Sequence, residues 1–315
     1  MPCPKCGFEG PQCSPECAHC GVIFAKLAEL EAFPHMHRPP ERPMPAGTAP
    51  DAFDEGEVVH DGRLGASELK ILGVGLVLAV IVYAIPFTRF VMSALVTLFH
   101  EMGHAVMAWC LGIPAIPAFD FTYGGGITSY GQFHLSIALA IAGGFAFLAY
   151  RFRRNWKTLV TLAVVAGVWL FFVSSDWRRD LACAAAGHIS EFVLSAIFFY
   201  MALAGIGFRI PEVERPLGAF IAFFAQIHSI GFALRLRSDP DFLAWYREGK
   251  GGMLMNDLES VALDLRIHFG TQSTIESVAG ALLFLPVVLF AISLVWYFYR
   301  AHVHRFIRSL LTLEA

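Results

Sequence analysis

The sequence predicts an all-α polytopic membrane protein of about six to eight transmembrane helices, preceded by a small N-terminal zinc ribbon. Of its 315 residues, 56% are hydrophobic and only 16% are charged, and the hydrophobic residues are concentrated in long runs. Soluble domains carry roughly 25% charged residues, so an ordinary soluble enzyme is excluded. Five of the seven cysteines fall within the first 20 residues, which indicates the metal module. The net charge of −3 gives no basic face for nucleic acid.

Two CxxCG turns define the first predicted domain, residues 1–32. A CxxC turn places two thiolates on one edge of a tetrahedron, and the glycine after it lets the backbone turn towards sulfur. The two turns predict one structural Zn²⁺ held by four thiolates, those of Cys3, Cys6, Cys17 and Cys20. The pattern resembles zinc ribbons and rubredoxin-type knuckles; a disulfide cluster and an iron site are the alternatives. Because metal-binding thiols need a reducing compartment, we expect the ribbon to be cytoplasmic. Its expected role is structural, or docking to a protein partner.

A Pro-rich linker, residues 33–66, separates the ribbon from a membrane domain, residues 67–315. Seven apolar runs follow, and most approach the ~20 residues that a helix needs to cross the hydrocarbon core. The runs are 69–86, 90–112, 134–150, 158–175, 189–207, 217–234 and 278–299. They predict a multi-pass protein of a plasma or inner membrane. Basic residues in the loop 151–157 and at the C-terminus are typical of the cytoplasmic side, which with seven spans would place the ribbon on the other side.

Two segments between the runs predict structure of their own. Pro114–Tyr130 mixes Pro, Gly and β-forming residues and is typical of a hairpin or a re-entrant loop. The longest polar loop, residues 237–276, contains Asn256 followed by an acidic residue three positions later, which is typical of a helix start. The spacing of Leu258, Val261 and Leu265 then predicts a surface helix.

The second apolar run carries an HExxH sequence, His100-Glu101-Met-Gly-His104. Residues i and i+4 share one helix face, so the two imidazoles can bind one Zn²⁺ and Glu101 can act as general base. Three ionisable groups inside a membrane are costly unless they are paired or ligated. The alternatives are a structural Glu–His cluster and a different metal used without hydrolysis.

This HExxH helix resembles that of the site-2 protease family of intramembrane zinc metalloproteases, over roughly residues 90–207. The resemblance implies hydrolysis of a peptide bond in or near a transmembrane substrate. It also implies that His100 and His104 bind the catalytic Zn²⁺ and that Glu101 is the base. The loop after the helix is similar to the family's membrane-associated hairpin, which implies that four loop residues bind substrate: Tyr123, Gly124, Gly125 and Gly126.

The third metal ligand is the point where the chain departs from the family. The family uses an aspartate in an Asn-x-x-Pro…Asp-Gly context, and the only Asp-Gly here is Asp61-Gly62, in the linker. The leading candidates are Glu191 and His188, three residues apart at the start of the fifth run; His188 would alternatively orient the carboxylate. Three aspartates are further candidates, or the site is incomplete. They are Asp257, Asp180 and Asp120.

The predicted function is therefore an intramembrane zinc metallopeptidase with one catalytic and one structural Zn²⁺. A membrane protein or peptide would be the substrate, and the lipid bilayer would surround the bundle. Because the family's aspartate motif is missing, two alternatives stay open. One is a membrane metal-dependent hydrolase that is not a protease, and the other is a non-catalytic metal-binding scaffold.

Overall fold

The computed structural model describes residues 64–120, 125–248 and 255–311. The predicted ribbon and nearly all of the linker lie outside the described residues, and so do two predicted substrate-binding residues, Tyr123 and Gly124. The same holds for the predicted ligands of the structural zinc, Cys3, Cys6, Cys17 and Cys20. The roles of these residues and the domain boundaries stay predictions.

The described chain is helical apart from one short hairpin, which confirms the predicted fold class. In chain order the elements are α1 (Ala66–Ala84), α2 (Pro86–Cys110), β1 (Ala115–Asp120), β2 (Gly125–Tyr130), α3 (Leu135–Arg151), α4 (Trp156–Val173), α5 (Asp176–Ala204), α6 (Pro211–Ser238), α7 (Pro240–Glu248), α8 (Asp257–Phe269), α9 (Ile275–Leu282), α10 (Leu285–Phe298) and α11 (Arg300–Leu311).

Six segments of the described chain are long and apolar enough to cross a membrane: α1, α2, α4, α5, α6 and the combined segment Ile275–Phe298. The third apolar run instead forms α3, which has 17 residues. At a rise of 1.5 Å per residue this helix is about 25 Å long, against a hydrocarbon core of ~30 Å. The seven predicted runs therefore correspond to six full-length helices and one shorter one.

The segment predicted as a hairpin or re-entrant loop contains an antiparallel hairpin. β1 pairs with β2 from Ala115 opposite Tyr130 to Asp120 opposite Gly125. The indole nitrogen of Trp109, near the end of α2, donates to the carbonyl of Ala115 at 2.8 Å. This bond holds the start of the hairpin against the helix that carries the HExxH sequence.

The long polar loop contains the predicted surface helix, α8. It begins directly after Asn256 and buries Leu258 and Val261, as the apolar spacing predicts. Asn256 occupies the N-cap position without a capping hydrogen bond, and its Nδ2 donates to the carbonyl of Tyr246 in α7. This contact holds the first residue of α8, Asp257, close to α7.

α5 lies at the centre of the bundle, and serine hydroxyls join it to three neighbours. Ser190 donates to the carbonyl of Phe99 in α2 (2.7 Å), and Ser195 donates to that of Ala222 in α6 (2.8 Å). Ser293 in α10 donates to the carbonyl of Ala196 in α5 (3.2 Å). Such bonds replace the water that apolar surroundings lack.

Gly103 lets α2 and α5 approach most closely. A Cβ atom at this position would lie 2.5 Å from the carbonyl oxygen of Ala186 and would overlap the side chain of Ser190. Only glycine fits there, so the two backbones almost touch. The close approach sets the HExxH helix directly against the middle of α5.

Candidate metal centre

The HExxH sequence lies in the C-terminal half of α2, where His100 and His104 share one face as their spacing predicts. Their Nε2 atoms are 3.0 Å apart, and the ring centroids are 4.6 Å apart. His104 is only 3% exposed. Two imidazole nitrogens therefore meet at one point inside the bundle.

The second ring nitrogen of each imidazole, Nδ1, has a hydrogen-bond acceptor of its own. Nδ1 of His104 lies 2.7 Å from the carbonyl oxygen of Cys183, and Nδ1 of His100 lies 2.7 Å from Oε1 of Glu191. A carbonyl or carboxylate oxygen accepts, so both Nδ1 atoms donate a proton. In the neutral form of each ring the lone pair then lies on Nε2, and the two Nε2 atoms face the same point.

A carboxylate from the first residue of α8 completes the group. Oδ2 of Asp257 lies 2.9 Å from Nε2 of His100 and 3.2 Å from Nε2 of His104. Because one oxygen lies within 3.2 Å of both nitrogens, the three atoms converge on a single point.

The donor set fits a divalent metal of the zinc type. Its three atoms lie 2.9–3.2 Å from one another, and ligand atoms of a tetrahedral zinc site lie about 3.3 Å apart. Two unprotonated nitrogens and a carboxylate oxygen repel one another unless a cation or a proton lies among them. A wider group replaces His104 by His188, with ligand atoms within 4.8 Å of one another. The group with His104 is the one whose separations, 2.9–3.2 Å, are close to those of a zinc site.

Gly187 of α5 packs directly on the two imidazoles. A Cβ atom there would overlap Nε2 of His104 and would lie 2.6 Å from Cε1 and 2.7 Å from Nε2 of His100. The absence of a side chain at this position leaves the space in which the Nε2 atoms meet.

Glu101 lies on the hairpin side of α2. The hydroxyl of Thr128 in β2 donates to its Oε2 at 2.6 Å, and the side chain is 5% exposed. A Cβ atom on Gly126 would overlap Cγ of Glu101 and would lie 2.6 Å from Oε1. Two predicted substrate-binding residues, Gly125 and Gly126, thus lie beside the predicted base.

Glu191 and His188, the leading candidates for the third ligand, lie next to the three converging side chains but contact them at other atoms. Glu191 contacts His100 at Nδ1, the nitrogen that faces away from Asp257. Its Oε1 is also 3.0 Å from Nδ1 of His188, and Ser229 donates its hydroxyl to Oε2. The ligand role of Glu191 and His188 stays a prediction, and their contacts favour Asp257 for that place.

Of the other two aspartates named from the sequence, only Asp180 can be placed. Asp180 is exposed and does not line the cavity described next, and the side chain of Asp120 lies outside what the structure describes.

A cavity of about 220 Å³ joins these side chains. It is lined by Val96, Thr97, His100, Glu101, Gly125, Gly126, His188, Glu191, His228, Phe232, Tyr246, Asn256 and Asp257. The ring of His228 stacks on that of Phe224, with 6.1 Å between the centroids, and also faces this cavity. Sequence reasoning did not identify Thr128, Ser229 or Tyr246, because a single hydroxyl gives no signal in a sequence.

Comparison of the chain with protein-family models, with curated proteins and with solved structures finds no match. The resemblance to the site-2 protease family therefore stays a prediction that rests on the HExxH helix.

Proposed function

We propose that the membrane domain is a zinc metallopeptidase that hydrolyses peptide bonds in or near membrane-spanning segments. The observation that supports it is the convergence of His100 Nε2, His104 Nε2 and Asp257 Oδ2 beside Glu101. Two histidines and a carboxylate form the ligand set of many catalytic zinc sites, which keep further positions open for water and substrate.

In this proposal Asp257 takes the place of the family's third ligand. It is an aspartate from a later part of the chain, although the Asn-x-x-Pro…Asp-Gly context is absent. Zinc held by the three side chains would polarise the scissile carbonyl and lower the pKa of the attacking water.

Glu101 would take a proton from the attacking water and deliver it to the leaving amine. Its position suits this work, because it lines the same cavity as His100 and Asp257 without contributing to the three converging ligand atoms. The hydrogen bond from Thr128 fixes one carboxylate oxygen, which limits the rotation of the base.

The hairpin would bind the substrate. Peptide bonds inside a helix are inaccessible, so the substrate must be extended at the site, and an extended chain can add to a strand edge. Gly125 and Gly126 line the cavity and carry no side chain that would block such a chain. Tyr123 and Gly124 are proposed to extend the same binding segment.

The test combines zinc content, measured by mass spectrometry, with cleavage of a panel of quenched fluorescent peptides, each containing one apolar helix of about 20 residues. We expect His100→Ala and Asp257→Asn to lose one zinc equivalent and all cleavage. Glu101→Gln should keep zinc and lose cleavage. Asp241→Asn is the matched control, because Asp241 is exposed and lies outside the cavity.

Two outcomes would contradict the proposal. Unchanged zinc content in both His100→Ala and Asp257→Asn would show that these residues do not bind zinc. Zinc binding without cleavage of any peptide by the unaltered protein would favour the non-protease hydrolase or the scaffold.

A further inference from the structure

Glu191 is a buried carboxylate in the middle of α5 and is 5% exposed. A carboxylate within a membrane-spanning helix is costly unless donors surround it. Glu191 has three donors: Nδ1 of His100 at 2.7 Å, Nδ1 of His188 at 3.0 Å and the hydroxyl of Ser229. These donors come from α2, α5 and α6, so the carboxylate lies where three helices meet.

The contact with His100 has a chemical consequence. A neutral imidazole carries its proton on Nδ1 or on Nε2, and the hydrogen bond at one nitrogen decides the state of the other. With Nδ1–H donated to Glu191, Nε2 of His100 keeps its lone pair and faces Asp257 and His104. A group that fixes a metal-binding histidine in this way commonly changes metal affinity 10–100-fold when it is removed.

Ser229 keeps the carboxylate itself in place. Its hydroxyl donates to Oε2 of Glu191, while both histidines share Oε1. Rotation of the carboxylate would break all three contacts at once. His188 is held in the same way, and its ring stacks on Phe232 at 5.2 Å and lies 4.5 Å from the ring of His100.

We propose that Glu191 is a positioning residue, which together with Ser229 fixes the tautomer and the ring orientation of His100 so that Nε2 can bind metal. The inference rests on the proposed function, because it takes His100 as a metal ligand. Glu191 contacts the side of His100 that faces away from the other proposed ligand atoms. Its oxygen lies at Nδ1, whereas those atoms lie at Nε2.

The experiment compares two substitutions of Glu191 in the full-length protein. Glu191→Leu removes the acceptor and suits an apolar bundle. Glu191→Gln keeps an oxygen that accepts from Nδ1 of His100, and its amide can donate to the hydroxyl of Ser229. The matched control is Glu212→Gln, an exposed glutamate at the start of α6.

The first readout is zinc affinity, measured by competition with a chromophoric chelator. We expect Glu191→Leu to weaken binding at the membrane site 10–100-fold at unchanged stoichiometry. Glu191→Gln should restore most of the affinity, and Ser229→Ala should cause a smaller loss than Glu191→Leu. Equal losses in the Leu and Gln variants would show that charge and not the hydrogen bond matters, which would overturn the proposal.

The second readout needs no bound metal. In metal-free protein with ¹⁵N-labelled histidine rings, the Nδ1 resonance of His100, assigned by its loss in His100→Gln, should be that of a protonated nitrogen. It should lose this signature in Glu191→Leu and keep it in Glu191→Gln. An unchanged resonance in Glu191→Leu would overturn the proposal.

These readouts separate the two proposals. If His100→Ala leaves zinc affinity unchanged, the proposed function fails, while the nitrogen resonance still decides whether Glu191 sets the tautomer. If Glu191→Leu does not fold, Ser229→Ala decides by the same two measurements, and wild-type values for both would contradict the positioning role.

Discussion

Substitution of Gly187 by alanine tests the metal centre through a single methyl group. The methyl carbon would overlap Nε2 of His104 and lie 2.6–2.7 Å from ring atoms of His100. Non-bonded atoms settle at about 3.5 Å or more, so the rings would have to retreat by about 0.9 Å. Metal sites tolerate deviations of about 0.2 Å in ligand distance.

The size of the expected loss follows from this displacement. Removing a group that merely orients a ligand costs 10–100-fold in affinity. Gly187→Ala would displace two ligands directly, so we expect zinc affinity at the membrane site to fall at least 100-fold, or about 2.8 kcal/mol. Helix propensity acts in the opposite direction, because alanine is favoured over glycine by about 1 kcal/mol within a helix.

The assay is zinc competition alongside thermal unfolding, with Gly143→Ala as the matched control. Gly143 is also a helical glycine, and a Cβ atom there would meet nothing within 4 Å. The control should bind zinc as the unaltered protein does and should be at least as stable. Equal zinc affinities in the two variants would refute the placement of the metal between His100 and His104.

Three further predictions concern the base, the whole centre and the ribbon. Thr128→Val removes the hydrogen bond to Glu101. Peptide cleavage should then fall about tenfold, which is the cost of a charge-assisted hydrogen bond. Zinc content should stay unchanged, and a loss of zinc would contradict this prediction. Removal of zinc by a chelator should lower the Tm, because the proposed metal would join α2 to α8 and bind only the folded state. No such shift is expected in His100→Ala, and an equal shift there would be inconsistent with this site. Serine substitution of four cysteines should remove one zinc equivalent and leave the centre in the membrane domain intact, and an unchanged zinc content would dismiss the ribbon. The four are Cys3, Cys6, Cys17 and Cys20.

The fold and half of the centre could be predicted because both depend on local patterns. Apolar runs of near-membrane length predict helices, and the i, i+4 spacing places His100 and His104 on one face whatever the rest of the chain does. The mixture of Pro, Gly and β-forming residues likewise predicts the hairpin. The third run, the shortest of the seven, forms a helix of 17 residues, which is near the lower limit of length for a membrane span.

The other half of the candidate metal centre depends on contacts between distant parts of the chain. Asp257 is 153 residues from His104, and no periodic pattern indicates where a loop folds back. Glu191 was recognised as a costly carboxylate at the start of an apolar run, but composition cannot distinguish a contact at Nδ1 of His100 from one at Nε2. That distinction separates a residue that binds metal from one that orients the ligand.

The contact between α2 and α5 limits which substitutions evolution can accept. Position 103 within the HExxH sequence and position 187 just before His188 have no room for even a methyl group. A related chain that keeps this centre should therefore read His-Glu-x-Gly-His in one helix and Gly-His-x-x-Glu in another. The paired signature is more specific than HExxH alone and would identify distant members of the lineage.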